Sequence, residues 1–256
     1  MDYRSAMLLI DRARGMAGAI LGPPCSVYRV GATASGNYLD VAQRVTTGLR
    51  VGRRQTGSKD LIEAPIMGSI FYSLLIDATS LEVGDVLVEN DPYYGEGATE
   101  VDFATTQFEA YAIAYHGPFK QTMAARVDRL CTIYRPTDAP AASAGAWTPT
   151  LPNLAPVVLS AGAFGLGTVG ATPSQIPLGL TSHVRTKHDL FKALPGTTDS
   201  LAYFGYVPAL PGWLPKEGDR LVDSSSGDRY VIEHPYTQQA GLAGSQLVLS
   251  RQIAGG

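Results

Sequence analysis

Apolar positions along this chain follow first one period and then another. Ala6, Leu9, Ala13, Ala17 and Ile20 recur at spacings of three and four, with Ile10 and Leu21 beside them. Arg4, Asp11, Arg12 and Arg14 fall mostly off that face, so the segment is expected to be an amphipathic helix. Asp2 or Ser5 can cap its start, and Gly22-Pro23-Pro24 ends it. Beyond that point the period shortens. Residues 25–30, 81–88, 109–119, 125–134 and 201–207 are rich in β-branched and aromatic residues and read as strands. Residues 213–252 hold three more, separated by Ser224-Ser225-Ser226-Gly227 and Ala240-Gly241-Leu242-Ala243-Gly244.

The stretches between are of three kinds. Residues 31–60 are polar and broken by Gly31, Gly36, Gly48, Gly52 and Gly57, which reads as a solvated loop. Residues 137–150 are rich in Ala, Pro, Ser and Gly, and residues 156–179 are apolar with many glycines. A short helical turn fits residues 183–193. The organisation expected is an N-terminal helix (1–24), a first β module (25–136), a Gly/Pro/Ala-rich linker or arm (137–180) and a second β module (181–256). The fold class is then mainly β (α+β), with two small antiparallel barrel- or sandwich-like modules joined by an extended segment that orders only in an assembly. Composition agrees: 28 glycines and 17 prolines in 256 residues exceed a usual combined share of about 12% and favour turns over helices.

The two modules share a pattern. Glu82-Val83-Gly84-Asp85-Val86-Leu87-Val88 answers to Lys216-Glu217-Gly218-Asp219-Arg220-Leu221-Val222. Gly84-Asp85 and Gly218-Asp219 each make a tight turn that launches a strand. A second strand with a Tyr-x-Ile pattern follows, at Tyr111 and Ile113 and at Tyr230 and Ile232. A closing strand ends in Arg, over 127–135 and over 246–251. The first copy has an insertion, 89–106, carrying Asp91-Pro92-Tyr93-Tyr94-Gly95.

Charge and chemistry narrow the function. A net charge of -3 excludes a chain that is basic throughout. The cations Arg44, Arg50, Arg53, Arg54 and Lys59 are nevertheless clustered, and removing those five from -3 leaves -8 on the remainder. They form a candidate docking surface for an acidic protein face, with DNA as the other partner considered. Cys25 and Cys131 read as two buried free thiols. The N-terminus does not match a signal peptide, and the most apolar window, 66–76, is too short to span a bilayer.

No catalytic, cofactor or metal site is expected. Gly165-Leu166-Gly167-Thr168-Val169-Gly170 matches the dinucleotide fingerprint by letter. That fingerprint works at a helix N-terminus, and Pro173 and Pro177 forbid a helix there. His183 and His188 lie on different helix faces. His116 and His234 read as strand-end residues, and Asp223 and Asp228 around Gly227 as a hairpin turn.

The sequence Gly218-Asp219-Arg220-Leu221-Val222, then Gly227-Asp228-Arg229-Tyr230-Val231-Ile232, then Leu247-Val248-Leu249-Ser250-Arg251, resembles the small β-barrel modules of tailed-phage neck proteins. These are the head-closure or stopper family and its adaptor relatives. The first half resembles structural proteins of contractile-tailed phages, which carry an N-terminal helix, a Gly-Asp strand (as at Gly84-Asp85) and a strand ending in Arg-Pro (as at Arg135-Pro136). The chain is longer than an ordinary stopper, and its Gly-rich middle has no counterpart there. The resemblance implies a non-enzymatic virion protein, folded in the host bacterial cytoplasm. It would form a homo-oligomeric ring of six or twelve copies joining portal, collar and tail, with passive contact to DNA in the channel and none to membrane. A baseplate or tail-tube-associated subunit is the alternative of the same class. A carbohydrate- or receptor-binding module, suggested by Tyr93 and Tyr94, is the alternative of another.

Overall fold

The structure is a computed structural model. It describes residues 22–55, 71–76, 81–89, 109–116, 122–137, 154–182, 202–237 and 242–252, with Ser5, Leu9, Arg12, Ala13, Met16, Ala17 and Ile20 from the N-terminal segment. The protein is mainly β. The first sheet contains β1 (Pro24–Tyr28), β2 (Arg44–Arg50), β3 (Gly52–Gln55), β4 (Phe71–Leu75), β5 (Val86–Glu89), β6 (Glu109–His116) and β7 (Thr122–Val127). Their order is β2-β1-β5-β6-β7-β4-β3, all antiparallel. The outermost strands, β2 and β3, are one length of chain interrupted only at Val51. The sheet's two edges therefore meet, and it curls around its own inner face.

The second sheet contains β8 (Arg129–Pro136), β9 (Leu154–Ser160), β10 (Ala163–Leu166), β11 (Ile176–Ser182), β12 (Ala202–Val207), β13 (Arg220–Asp223), β14 (Arg229–Thr237) and β15 (Ser245–Gln252). Its order is β10-β9-β8-β11-β12-β15-β14-β13, and β13 pairs back onto β8, closing a six-stranded barrel. Strand β8 is shared: Arg129–Cys131 pair with β11 and Tyr134–Pro136 with β9, while β13 runs along residues 131–134.

The two circuits have the same connectivity and the same register. Cys25 lies between Glu89 and Leu49 as Cys131 lies between Asp223 and Ile176. Tyr28–Val86 answers to Tyr134–Arg220, and Leu87–Tyr111 to Leu221–Tyr230. Ala112–Ala125 answers to Val231–Ser250, Tyr72–Ala124 to Tyr203–Leu249, and Gly52–Leu75 to Gly179–Tyr206. Even the bulges coincide, between Ile113 and Tyr115 in β6 and between Ile232 and His234 in β14. The chain is thus a tandem repeat of one six-strand circuit, in which a single strand (β11) replaces the broken pair β2–β3.

Alternation then decides which side chains go inside. Cys25, Val27, Leu87, Tyr111, Ile113 and Ala124 fill the first circuit. Their equivalents Cys131, Ile133, Leu221, Tyr230, Ile232 and Leu249 fill the second. The opposite face of the first sheet is apolar too. Tyr28, Val86, Val88, Ala110 and Val127 are fully buried in a core shared with the second barrel. A strand buried on both faces must read as a continuous apolar run, as Val86-Leu87-Val88 does.

The barrels are joined by their equivalent connections. Residues 29–43, between β1 and β2, zip onto the hairpin β9–β10, which sits between β8 and β11. Gly162 N–H donates to Ala34 O (2.7 Å), Tyr38 N–H to Gln175 O (3.0 Å), and Gln175 N–H to Asn37 Oδ1 (2.9 Å). Tyr38 stacks on Phe164, with ring centroids 6.1 Å apart. The backbones come so close that a Cβ at Gly162 would lie 2.6 Å from the carbonyl oxygens of Gly31 and Ala32, at a φ of +80°.

Four expectations change. The N-terminal helix over 1–24 is not borne out as an element of the fold. The seven described residues have helical backbone but cover no core; Leu9, Met16 and Ile20 are 54%, 58% and 70% exposed, and Pro24 already belongs to β1. The polar loop expected over 31–60 contains β2 and β3. Residues 154–180 of the expected arm form β9, β10 and most of β11, with Val157, Leu159, Phe164, Ile176 and Leu178 in the core; residues 138–153 lie outside the described residues. The sheets divide at Asp128 rather than at residue 136, because β8 closes the second barrel. Its counterpart is β1, and the counterpart of β15 is β7. Among the described residues no helix is long and apolar enough to cross a membrane.

Gly162→Ala is expected to lower the unfolding free energy by about 2 kcal/mol, because strain at positive φ adds to the backbone clash. Gly165→Ala, where an added Cβ meets nothing within 4 Å, should change it by less than about 1 kcal/mol. Urea unfolding of the two variants checks the pair.

Candidate functional site

The two Gly-Asp turns are each held by several hydrogen bonds. Gly84 and Gly218 have φ of +95° and +83°, a region closed to most side chains. Each turn is fixed by the aspartate that follows. Asp85 N–H donates to Glu82 O (3.1 Å) and its Oδ2 accepts from Glu82 N–H (2.8 Å). Asp219 N–H donates to Lys216 O (3.2 Å) and its Oδ2 accepts from Lys216 N–H (2.7 Å). The carboxylates, 1% and 0% exposed, then receive a guanidinium through two parallel bonds. Arg29 gives Nε and Nη2 to Asp85 at 2.7 Å each, and Arg135 gives the same atoms to Asp219 at 2.8 Å each. Such fork-to-fork pairs are the strong geometry for arginine and carboxylate. The bond from Asp85 also holds the Arg29 guanidinium above its ordinary pKa. Arg135 lies over the Trp213 ring, 4.9 Å from its centroid, and donates to Leu214 O at 2.9 Å. Each aspartate is thereby engaged in structure, both of its carboxylate oxygens accepting hydrogen bonds.

At the other end of β5 and β13 the equivalent carboxylates Glu89 and Asp223 each pair with an arginine from a non-equivalent position, Arg53 in β3 and Arg129 in β8, and their electrostatics are opposite. Glu89 accepts from Arg53, which also contacts the Tyr111 hydroxyl and Glu109 Oε2 (3.2 Å). Burial raises the Glu89 pKa, and nearby Glu109 adds to it, against the pull of Arg53. Burial also acts to raise Asp223, but the hydroxyl and backbone N–H of Ser225 (2.6 and 2.9 Å) and Arg129 (2.9 Å) outweigh it and hold its pKa below the ordinary value. Beside them sit the equivalent cysteines, both free and buried. Burial, then the Glu89 charge, pushes the Cys25 thiol up to about 12. Burial and Asp223 raise Cys131 as well. Neither is a thiolate at neutral pH, the form that a nucleophile needs.

The residues of the expected basic surface are placed as follows. Arg50 donates to Gly22 O (3.2 Å), and Arg53 is engaged by Glu89 and Glu109. Arg44 starts β2, Arg54 is placed in β3 by its backbone alone, and Lys59 lies outside the described residues. Tyr93, Tyr94, Asp91, His183 and His188 also lie outside. Gly165–Gly170 runs from β10 into a turn that leads, through residues 171–175, to β11. His234 is exposed and packs edge-on against Tyr236. Asp228 pairs with Arg251 at 2.6 Å. Among the described residues no three His, Cys, Asp or Glu side chains could share a metal ion.

One cavity was not anticipated. A cleft of about 410 Å³ opens on the outer face of the second barrel, lined by Tyr134, Leu154, Pro156, Val169–Ala171, Arg220–Val222, Arg229 and Gln252. Its volume is in the range of ligand sites, roughly 300–1,000 Å³. Its lining joins five strands and a loop, so sequence spacing does not reveal it. The clamp arginines, by contrast, carry a signal that could have been found: Cys25-Ser26-Val27-Tyr28-Arg29 and Cys131-Thr132-Ile133-Tyr134-Arg135 are one motif written twice. No protein-family model, curated protein or solved structure matches the chain.

The paired carboxylates should give opposite pH signatures. The lowered pKa of Asp223 contributes stability that is present above the ordinary aspartate range and is lost as pH falls below about 4. The raised pKa of Glu89 contributes stability that is present at low pH and is lost as pH rises beyond about 4.3. Asp223→Asn should therefore flatten the acid loss, and Glu89→Gln should gain on the parent as pH rises. Urea unfolding from pH 3 to 7 reads both, and slopes of the same sign would contradict the assignment.

Proposed function

We propose that this chain is a structural subunit of a tailed-bacteriophage virion, acting by assembly into a ring at the neck or collar that joins head to tail. The observation that supports this reading is the tandem repeat of one small closed barrel. Its Gly-Asp turns, arginine clamps and interior side chains are spent on holding the barrel shut. A chain built this way offers partners a rigid, doubled surface, and a heterologous contact repeated around an axis closes a ring. On this reading the protein is not an enzyme, and its partners are other copies of itself, then portal, collar and tail proteins. A place in the baseplate or beside the tail tube uses the same assembly chemistry and differs only in neighbours.

Native mass spectrometry and negative-stain microscopy of the purified chain test this directly. The expected result is an annulus of six or twelve copies, and the same protein in purified virions at matching copy number. A monomer at high concentration that never enters particles would reject the proposal.

A further inference from the structure

The repeat makes the two barrels directly comparable, and one face differs between them. In the first barrel Tyr28, Val86, Val88, Ala110 and Val127 lie on the outer face, each fully buried in the shared core. Register places Tyr134, Arg220, Val222, Arg229 and Gln252 at the same five positions of the second barrel. Those five are half-buried or exposed, and all five line the cleft of about 410 Å³. An apolar packing face in one unit is thus, in the other, an open face carrying two cations.

Strand pairing accounts for the shape of the cleft. Pro156, Tyr134 and Arg220 stand abreast on β9, β8 and β13, and Val222, Arg229 and Gln252 stand abreast on β13, β14 and β15. Arg220 faces Val231 and Arg229 faces Val222, so the two arginines are diagonal neighbours across one strand pair. Such neighbours lie about 7–8 Å apart, within reach of long side chains. Residues 169–171 complete the lining. Their turn is tied to β9: Gly167 N–H donates to Pro156 O (2.8 Å), Ser174 N–H to Val157 O (3.0 Å), and the buried Ser174 hydroxyl accepts from Leu159 N–H (2.8 Å). The cleft is therefore preformed, as small-molecule sites usually are.

We infer that this cleft binds a small organic anion, its oxyanion group held by Arg220 and Arg229 and its apolar body laid against Leu154, Pro156 and Val169. The inference goes beyond the ring proposal and does not depend on it. Charge carries the first half of the argument. Arg29, Arg53, Arg126, Arg129, Arg135 and Arg251 each meet a carboxylate. Arg220 and Arg229 stand where the first barrel has Val86 and Ala110, and among the described residues they meet none. Asp228, next to Arg229 in the chain, is taken by Arg251 at 2.6 Å. Two neighbouring like charges repel, and one oxyanion accepting from both guanidiniums removes that repulsion and satisfies their donors. The lining carries the second half. Leu154 and Pro156 are buried and Val169 is 52% exposed at the cleft, so an apolar body covers surface that otherwise meets water. Tyr134 and Gln252 supply the other polar groups of the lining. Apolar walls with a few polar groups to fix orientation are the usual make-up of a ligand site.

Fluorescence titration of the purified full chain with anilinonaphthalene sulfonate, an anion on an aromatic body, tests this. Phenylnaphthylamine, the same body without the charge, is the comparison probe. The variants are Arg220→Gln/Arg229→Gln and Val169→Asp, all at outer positions, with thermal unfolding as the check on the fold. The expected result is saturable one-to-one binding of the sulfonate by the parent and at least tenfold weaker binding by both variants at unchanged unfolding midpoint. The uncharged amine should bind the parent at least tenfold more weakly than the sulfonate does. No saturable binding by the parent, or undiminished binding by either variant, would overturn the inference. An amine that binds as tightly as the sulfonate would make the cleft merely apolar and overturn it too. Fluorescence anisotropy with a labelled DNA duplex separates a small anion from a polyanion. Duplex binding that the Gln variant loses while it keeps the sulfonate would assign the arginines to nucleic acid and overturn the inference. Each of these outcomes leaves the ring proposal standing on its own test.

Discussion

The buried pair of arginine and aspartate at each Gly-Asp turn is the interaction on which the barrels depend. A closed barrel must bring its first strand back against a strand that begins much later in the chain. Arg29 sits just past the end of β1 and Asp85 just before β5; Arg135 sits near the end of β8 and Asp219 just before β13. The clamp thus ties together the two strands whose pairing completes the circuit. It also fixes where β5 and β13 begin, since the same aspartate caps the turn. Replacing such a pair by apolar groups is often tolerated, but removing one partner strands a buried charge.

From that constraint the remaining architecture follows in layers. A fixed strand start sets the register of β5 against β6 and of β13 against β14, and Ile113 and Ile232 N–H donate to Asp85 O and Asp219 O at 2.7 and 2.8 Å. Register sets parity, and parity puts Leu87, Tyr111 and Ile113, with Leu221, Tyr230 and Ile232, inside. The outer faces are then free to diverge. In the first barrel that face is apolar and covered; in the second it is a cleft with two arginines. Divergence outside and identity within is what a duplicated unit shows when one copy packs against the other.

Much of this was legible in the sequence, and the losses have physical causes. The Gly-Asp turns stood out because Gly at positive φ and a short acid beside it are local requirements. The three-strand meanders after them kept their Tyr-x-Ile pattern because those side chains face the interior. The closing strand was displaced onto 127–135 because alternation runs across Asp128 from β7 into β8, one barrel into the next. Strands β2 and β3 left no trace: β2 is mostly exposed on both faces, so Thr46, Thr47 and Arg50 give no period of two. The glycine-rich segment around Gly165 looked like an arm because Gly162 and its neighbours answer to a close backbone approach, a tertiary cause that composition cannot display. The cleft was invisible for the same reason, and Arg220 and Arg229 read in isolation as ordinary outward strand residues.

The central claim is that both halves are one circuit shut by one clamp. Double-mutant cycles on Arg29 with Asp85 and on Arg135 with Asp219, read by urea unfolding, test it most directly. The account predicts that either Asp→Ala change costs roughly 3–5 kcal/mol, with coupling energies of about 1–3 kcal/mol that agree between halves to within about 1 kcal/mol. A pair in one half that can be removed at a cost below about 0.5 kcal/mol, while its counterpart is costly, would contradict it.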